Sequence, residues 1–142
     1  MDTLKPVPPT DLVLAWARDL YAHAVDRKDA AGFAAAFTDN ASLCFGNAAP
    51  IIGRSAIEEA IAQFFTSFST LRHRNEGAWL AGRETLILEA RVTYLRHDSK
   101  EVTIPAVTIF RLAGAEPDRP ECPVADQCRI YVDLTPLYAP AA

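Results

Sequence analysis

No stretch of this sequence approaches the roughly 18–20 consecutive apolar residues of a membrane-spanning helix, because charged side chains interrupt every hydrophobic segment. No run of Lys or Arg forms a stripe that could track phosphates, and the formal net charge is −4, so nucleic acid and anionic membrane surfaces are not expected partners. Glycine-rich phosphate cradles, His-x-x-x-His and paired-cysteine metal motifs, and the Gly-x-Ser-x-Gly nucleophile elbow are all missing. Cysteine is scarce: Cys44, Cys122 and Cys128 make an odd number, which points to free thiols rather than a disulfide framework. The opening Met1-Asp2-Thr3-Leu4-Lys5-Pro6 has no apolar core of the secretory kind, so a cytoplasmic protein is expected. Neither a metal nor a cofactor is expected. The exclusions leave cofactor-independent proton chemistry, or binding alone.

The 142 residues are half apolar and 23% charged, the composition of one folded domain with an ordered core over about 10–137. A chain of this length can bury roughly 68–70% of its unfolded surface without staples.

Periodicity divides the chain into helices followed by strands. Thr10 is placed as an N-cap, and Leu12, Val13, Trp16, Leu20 and Ala24 recur at helical spacing, predicting a helix over about 10–27. Asp29 is placed to cap a second helix through Phe37, broken by Thr38-Asp39-Asn40. A short strand over 41–45 and a turn over 46–50 follow. Ser55-Ala56-Ile57-Glu58 has capping-box spacing, so a third helix should run from Ser55 to about Ser69, with Arg54 placed to pair with Glu58. Strands are predicted over 71–80, 85–96, 101–112 and 127–135, with a Pro- and Asp-rich loop over 113–126. Pro105 should mark a bulge or an unpaired edge position. The pattern is α+β, with helices folded over one face of a curved antiparallel sheet.

Ionisable groups inside strand-like apolar runs are the candidate functional residues. An unpartnered polar group costs about 1–3 kcal/mol to bury, so such a group is paired, exposed or lining a pocket. His73 is one, because imidazole exchanges protons near neutral pH. The run Arg129–Leu137 holds another, Asp133; strand alternation puts it on one face with Tyr131, and Ile130, Val132 and Leu134 on the other. Ion pairing of Asp133 with Arg129 or Arg96, and a plain structural role for His73, are equally compatible with the residues alone. Trp79 lies at even spacing from His73 and shares its face unless a bulge intervenes.

In order along the chain, Phe33-Ala34-Ala35-Ala36-Phe37-Thr38-Asp39-Asn40-Ala41, Ile52-Gly53-Arg54-Ser55-Ala56-Ile57, Leu71-Arg72-His73, Val92-Thr93-Tyr94, Ile104-Pro105-Ala106 and Tyr131-Val132-Asp133 carry a resemblance to the nuclear transport factor 2-like superfamily, in particular its SnoaL-like branch. The resemblance implies a cone: a strongly bent sheet wrapped around the long helix, with a pocket at the wide end. Families of this shape include ketosteroid isomerase, scytalone dehydratase, limonene epoxide hydrolase and the polyketide cyclases, and others bind ligands without turnover or serve as assembly modules. It implies His73 and Asp133 as a proton-shuttling pair, Tyr94 or Tyr131 as donor to a developing negative oxygen, and Trp16, Phe64, Phe68 and Trp79 as the apolar wall. It further implies a small, mostly apolar oxygenated ligand and a homodimer formed through the sheet. A non-catalytic ligand-binding module, and a dimerisation domain whose cavity is filled by its own side chains, stand beside the enzyme reading.

Overall fold

A computed structural model describes residues 6–7, 10–82, 84–116 and 119–140, with side-chain surroundings for 10–82, 84–113 and 123–140. Cys122 lies outside the described side chains; Cys44 and Cys128 are free thiols.

The helices start as the capping signals require but stop earlier. Helix α1 (Asp11–His23) opens where the Thr10 hydroxyl accepts from the Val13 N–H at 3.3 Å. It ends short of residue 27, because the chain tightens into a 3₁₀ turn over Val25–Arg27 and Lys28 takes a left-handed conformation (φ 59°). The Lys28 ammonium pins this turn by donating to the carbonyls of Phe68 and Ser69 at 3.0 and 3.1 Å. Asp29 caps helix α2 (Ala30–Ala34) through the Gly32 N–H at 3.0 Å. That helix stops before Phe37, and Thr38-Asp39-Asn40 lie within strand β2 (Phe37–Phe45) rather than in a turn.

After the two-residue strand β3 (Ile51–Ile52), helix α3 (Arg54–Phe65) begins one residue ahead of Ser55 and ends before Ser69. Gly53 precedes it at φ 101°, a conformation that turns the chain without a side-chain cap. Arg54 reaches back to β2. Its Nε and Nη2 donate to the Phe37 carbonyl at 2.9 and 2.6 Å, and its Nη1 pairs with Asp39 at 2.8 Å.

The strands build one sheet. Strand β1 (Pro6–Val7), β4 (Thr70–Ala81), β5 (Thr85–Leu95), β6 (Glu101–Glu116) and β7 (Arg119–Val132) join β2 and β3 in the order β1-β4-β5-β6-β7-β2-β3. Every neighbouring pair is antiparallel except β2 with β7, which is parallel. Of the stretch 113–126, expected as a loop, residues 113–116 and 119–126 are strand and carry the β6–β7 ladder out to Glu116 opposite Arg119. Pro105 causes no bulge: the β5–β6 register runs unbroken through Arg91 opposite Pro105. The β6–β7 ladder stops at Ala106 opposite Val132, so Pro105 sits one residue past it, where a missing N–H breaks no ladder bond.

The helices cover the concave face. Phe37, Phe68, Phe110, Leu43, Ile57, Leu86 and Val92 are the large side chains shut off from solvent, and Trp16 and Tyr21 of α1 pack against Phe110 with ring separations of 5.2 and 6.5 Å. A short helix α4 (Thr135–Tyr138) closes the described chain. No described helix is long and apolar enough to cross a membrane.

One irregularity decides which side chains face inward. The β4–β5 register shifts between Asn75 and Gly77, leaving Glu76 as an extra residue. His73 opposes the buried Val92, while beyond the shift Leu80 opposes the buried Leu86 and Trp79 turns outward, 39% exposed. Even spacing from His73 therefore does not place Trp79 on the same face. Deleting Glu76 should close the bulge and leave Leu80 facing inward, since Asn75 and Gly77 would then be consecutive as their partners Ala90 and Glu89 are. Stability in a urea melt should therefore change by less than the roughly 2–5 kcal/mol that losing a large core side chain costs; a loss of that size would show that Leu80 had turned outward and that the bulge does not set the face.

Candidate functional site

Strand β4 carries His73 where, among the described residues, no strand pairs with its outer edge. Strand β1 pairs with β4 only at Leu80 and Ala81, so the ladder on that edge does not reach position 73. A buried N–H there needs another acceptor. Asp26, in the 3₁₀ turn after α1, supplies it: Oδ2 accepts from the His73 backbone N–H at 3.1 Å, and Oδ1 lies 2.7 Å from His73 Nδ1. One carboxylate thus holds both the strand and the ring, across 47 residues of sequence. Their side chains are 13% and 21% exposed, His73 and Asp26 respectively.

This contact sets the ring's chemistry. A carboxylate oxygen accepts, so Nδ1 donates to it, and in the neutral form of the ring the lone pair is then on Nε2. The Tyr21 ring packs on the imidazole at 4.6 Å between centroids.

His73 lines a cavity of about 50 Å³ between the helices and the concave sheet. Its wall is apolar, built by Phe33, Phe45, Phe64, Phe65, Ile130 and Val132 among others. Tyr21, Tyr94 and Thr108 are its other polar side chains. Burial pushes the Tyr21 phenol well above its ordinary range, with Cys128 adding to the rise and the hydrogen bond to Thr108 opposing it. Burial likewise raises Tyr94, helped by Tyr138 and Asp26. Both phenols therefore stay protonated through the physiological range and can donate but not act as bases. A positioned base beside neutral hydrogen-bond donors in an apolar hollow is suited to moving a proton on an oxygenated carbon skeleton.

The sequence-predicted residues divide three ways. His73, Phe64 and Tyr94 line the cavity. Phe68 is fully buried, stacked against Phe64 and Tyr94 at 5.2 and 5.0 Å behind the wall, and Trp16 packs on Phe110 outside it. Trp79, Tyr131 and Asp133 do not reach the cavity: Trp79 is turned out by the bulge, and Tyr131 is 52% exposed. Asp133 is exposed, accepting from the Thr135 N–H and hydroxyl at 3.0 and 2.6 Å, bonds that hold it below the usual carboxylate range. Alternation along β7 holds, but the inward face is Ile130 and Val132, so the pairing of His73 with Asp133 is corrected to His73 with Asp26. Among the described residues no three His, Cys, Asp or Glu side chains gather as metal ligands.

Asp26, Tyr21 and Thr108 escaped the sequence reading. Tyr21 follows Leu20 on the apolar stripe of α1, a detectable signal. Asp26 has none, since a helix drawn to residue 27 places it in solvent.

The profile of the SnoaL-like domain family matches residues 17–116. No curated protein matches the chain. Among solved structures, a Jannaschia sp. CCS1 protein assigned as a SnoaL-like polyketide cyclase is 20% identical, with a TM-score of 0.71 over 95% of this chain and 97% of that one. A Burkholderia pseudomallei NTF2-like protein of unknown function is 16% identical, with a TM-score of 0.73 over 92% of this chain and 100% of that one. ActVI-ORFA from Streptomyces coelicolor is 18% identical, with a TM-score of 0.72 over 85% of this chain and 94% of that one. At these identities the likeness is one of fold.

Asp26→Ala should remove the acceptor of both the ring and the strand N–H. We expect a loss of about 1–3 kcal/mol, the cost of an unsatisfied part-buried group. The ¹⁵N signals of the His73 ring should move from a single Nδ1–H form to mixed tautomers; an unchanged ring spectrum would mean that Asp26 does not set the tautomer.

Proposed function

The chain belongs to the SnoaL-like domain family of the nuclear transport factor 2-like superfamily, and on that footing we propose that its cavity takes a compact, mostly apolar ligand bearing a carbonyl or hydroxyl oxygen, on which His73 acts as general acid–base. The observation that carries this reading is the Asp26–His73 contact at 2.7 Å beside an apolar hollow that His73 lines; with Nδ1 donating to the carboxylate, Nε2 of the neutral ring is left to accept a proton. Asp26 orients the ring and steadies the imidazolium that forms when Nε2 takes a proton. Tyr94 donates to the oxygen on which charge develops. The reaction class is proton transfer at the carbon beside a carbonyl, as in isomerisation, dehydration or aldol-type cyclisation. No metal or cofactor enters this scheme.

Cyclohex-3-enone is a suitable first substrate, since it is a single ring with one oxygen. The protein should accelerate its conversion to the conjugated ketone, and His73→Ala should lower that rate by about 10²–10⁴-fold. Equal turnover by wild type and His73→Ala would remove the base assignment. Recovery of the ketone bound but unchanged, without deuterium uptake from D₂O, would leave a binding protein.

The competing reading is a dimerisation domain with a self-filled core, and the size of the hollow favours it. A volume of about 50 Å³ accommodates roughly three waters, whereas benzene needs a cavity of about 150 Å³. Failure of every small ketone to bind would decide for that reading.

A homodimer through the outer face of the sheet is the second part of the proposal. Register aligns Trp79, Ile87, Ile109 and Arg129 across four strands, with Val107 and Tyr131 in the next row. Trp79 and Tyr131 are exposed on this face, and Arg129 Nε is buried with no hydrogen-bond partner. A second copy would cover the aromatics and bring an acceptor to Arg129. Light scattering at micromolar concentration should give twice the chain mass of 15.5 kDa, and Tyr131→Asp should return it to one; a monomeric wild type would refute the dimer.

A further inference from the structure

The wall of the cavity is not sealed evenly. Of the residues that line it, Tyr21, Phe33, Phe65, Val92 and Tyr94 are buried, whereas Phe45, Phe64, Ala106, Ile130 and Val132 keep part of their surface in solvent. His73 is also partly exposed, and Asp26 holds its ring in place. Register gathers the partly exposed strand residues at one end of the sheet. The β2–β7 ladder stops at Phe45 opposite Ile130, and the β6–β7 ladder stops at Ala106 opposite Val132. Phe64 meets that end from α3: its ring lies 4.9 Å from the ring of Phe45, with the two planes tilted by 53°. It also stands edge-on to the Tyr94 ring at 6.3 Å. Phe64 is thus the ring that joins the end of the sheet to the phenol assigned above as hydrogen-bond donor.

Both partly exposed rings stand where their elements run out. Phe45 is the last residue of β2, and the chain then turns through Gly46 at φ 58° into the exposed residues 47–50. Phe64 is next to last in α3, and the Ser67 N–H donates to its carbonyl at 3.0 Å, three residues on, as the helix tightens at its end. Local opening costs least near the ends of elements and most in the packed core. Phe33 shows the contrast, since it lines the same hollow but is 4% exposed and packs its ring on the fully buried Phe37 at 5.1 Å.

We propose that the rings of Phe45 and Phe64 are the two leaves of the cavity's entrance, and that Phe64 limits the size of ligand the site admits. The proposal rests on the reading of the cavity as a ligand site. A hollow of about 50 Å³ is smaller than the roughly 150 Å³ that takes up benzene, so a cyclic ligand enters only by displacing part of the wall. The buried lining residues yield only if the core opens. Phe45 and Phe64 yield by turning toward the solvent that they already touch. An apolar ligand then takes the place of the Phe64 ring against Phe68 and Tyr94, 5.2 and 6.3 Å from it in the closed form, and offsets the surface uncovered.

The test is the association rate of 4-fluorophenol, read from its ¹⁹F line shape. Association should be about tenfold faster for Phe45→Ala and Phe64→Ala than for wild type. Phe64→Leu should fall between, and it keeps the core filled should the alanine variant lose its fold. Phe33→Leu enlarges the same hollow from its buried side and should speed association far less than either leaf variant. Equal rates in all the proteins, or a gain from Phe33→Leu as large as that from Phe45→Ala, would overturn the entrance and leave the pocket standing. Absence of 4-fluorophenol binding in wild type and every variant would overturn the pocket itself and the entrance with it.

Discussion

A carboxylate shared between a strand's backbone and its side chain is what joins the two halves of this molecule at the cavity. Asp26 meets the N–H and the ring of His73 together, so the position of the imidazole cannot change without breaking a backbone contact as well. The 3₁₀ turn after α1 and the left-handed Lys28 aim Asp26 at the outer edge of β4, and the Lys28 ammonium holds that turn against the carbonyls that follow α3. Breaking a fully buried charge pair by removing one partner costs about 3–5 kcal/mol. This pair retains some solvent contact and sits below that range, but its geometric role does not depend on the magnitude. The edge N–H and the ionisable ring need one group, and one group serves both.

The cavity is sparing with polarity. Tyr21, His73, Tyr94 and Thr108 are the polar side chains in its wall, and the remainder is apolar. A charge developing between them would find little competing water, and interactions among such groups strengthen as the local dielectric falls. The same burial that keeps the phenols protonated also silences Cys128, whose thiol it pushes well above its ordinary range. Among the residues lining the hollow, the imidazole of His73 is then the group with a basic nitrogen.

Legibility in the sequence followed the range of the interaction. Period-two and period-3.6 patterns are local, so the strands over 71–80 and 85–96 and the first and third helices could be read. The α+β cone followed from their order and from the family motifs. Three features were illegible for distinct reasons. Glu76 adds one residue to β4, and nothing in Asn75-Glu76-Gly77 announces that the face of Trp79 reverses there. Alternation along β7 was readable, but not which face turns inward, and choosing the Tyr131–Asp133 face put two candidate residues outside the cavity. The apolar partners Ile130 and Val132 were the better guide, because a cavity floor selects for them. Asp26 is a contact across 47 residues, beyond any window of local pattern. Within 113–126 propensity is overruled: in this Pro- and Asp-rich stretch residues 113–116 and 119–126 are strand, the far end of the β6–β7 ladder.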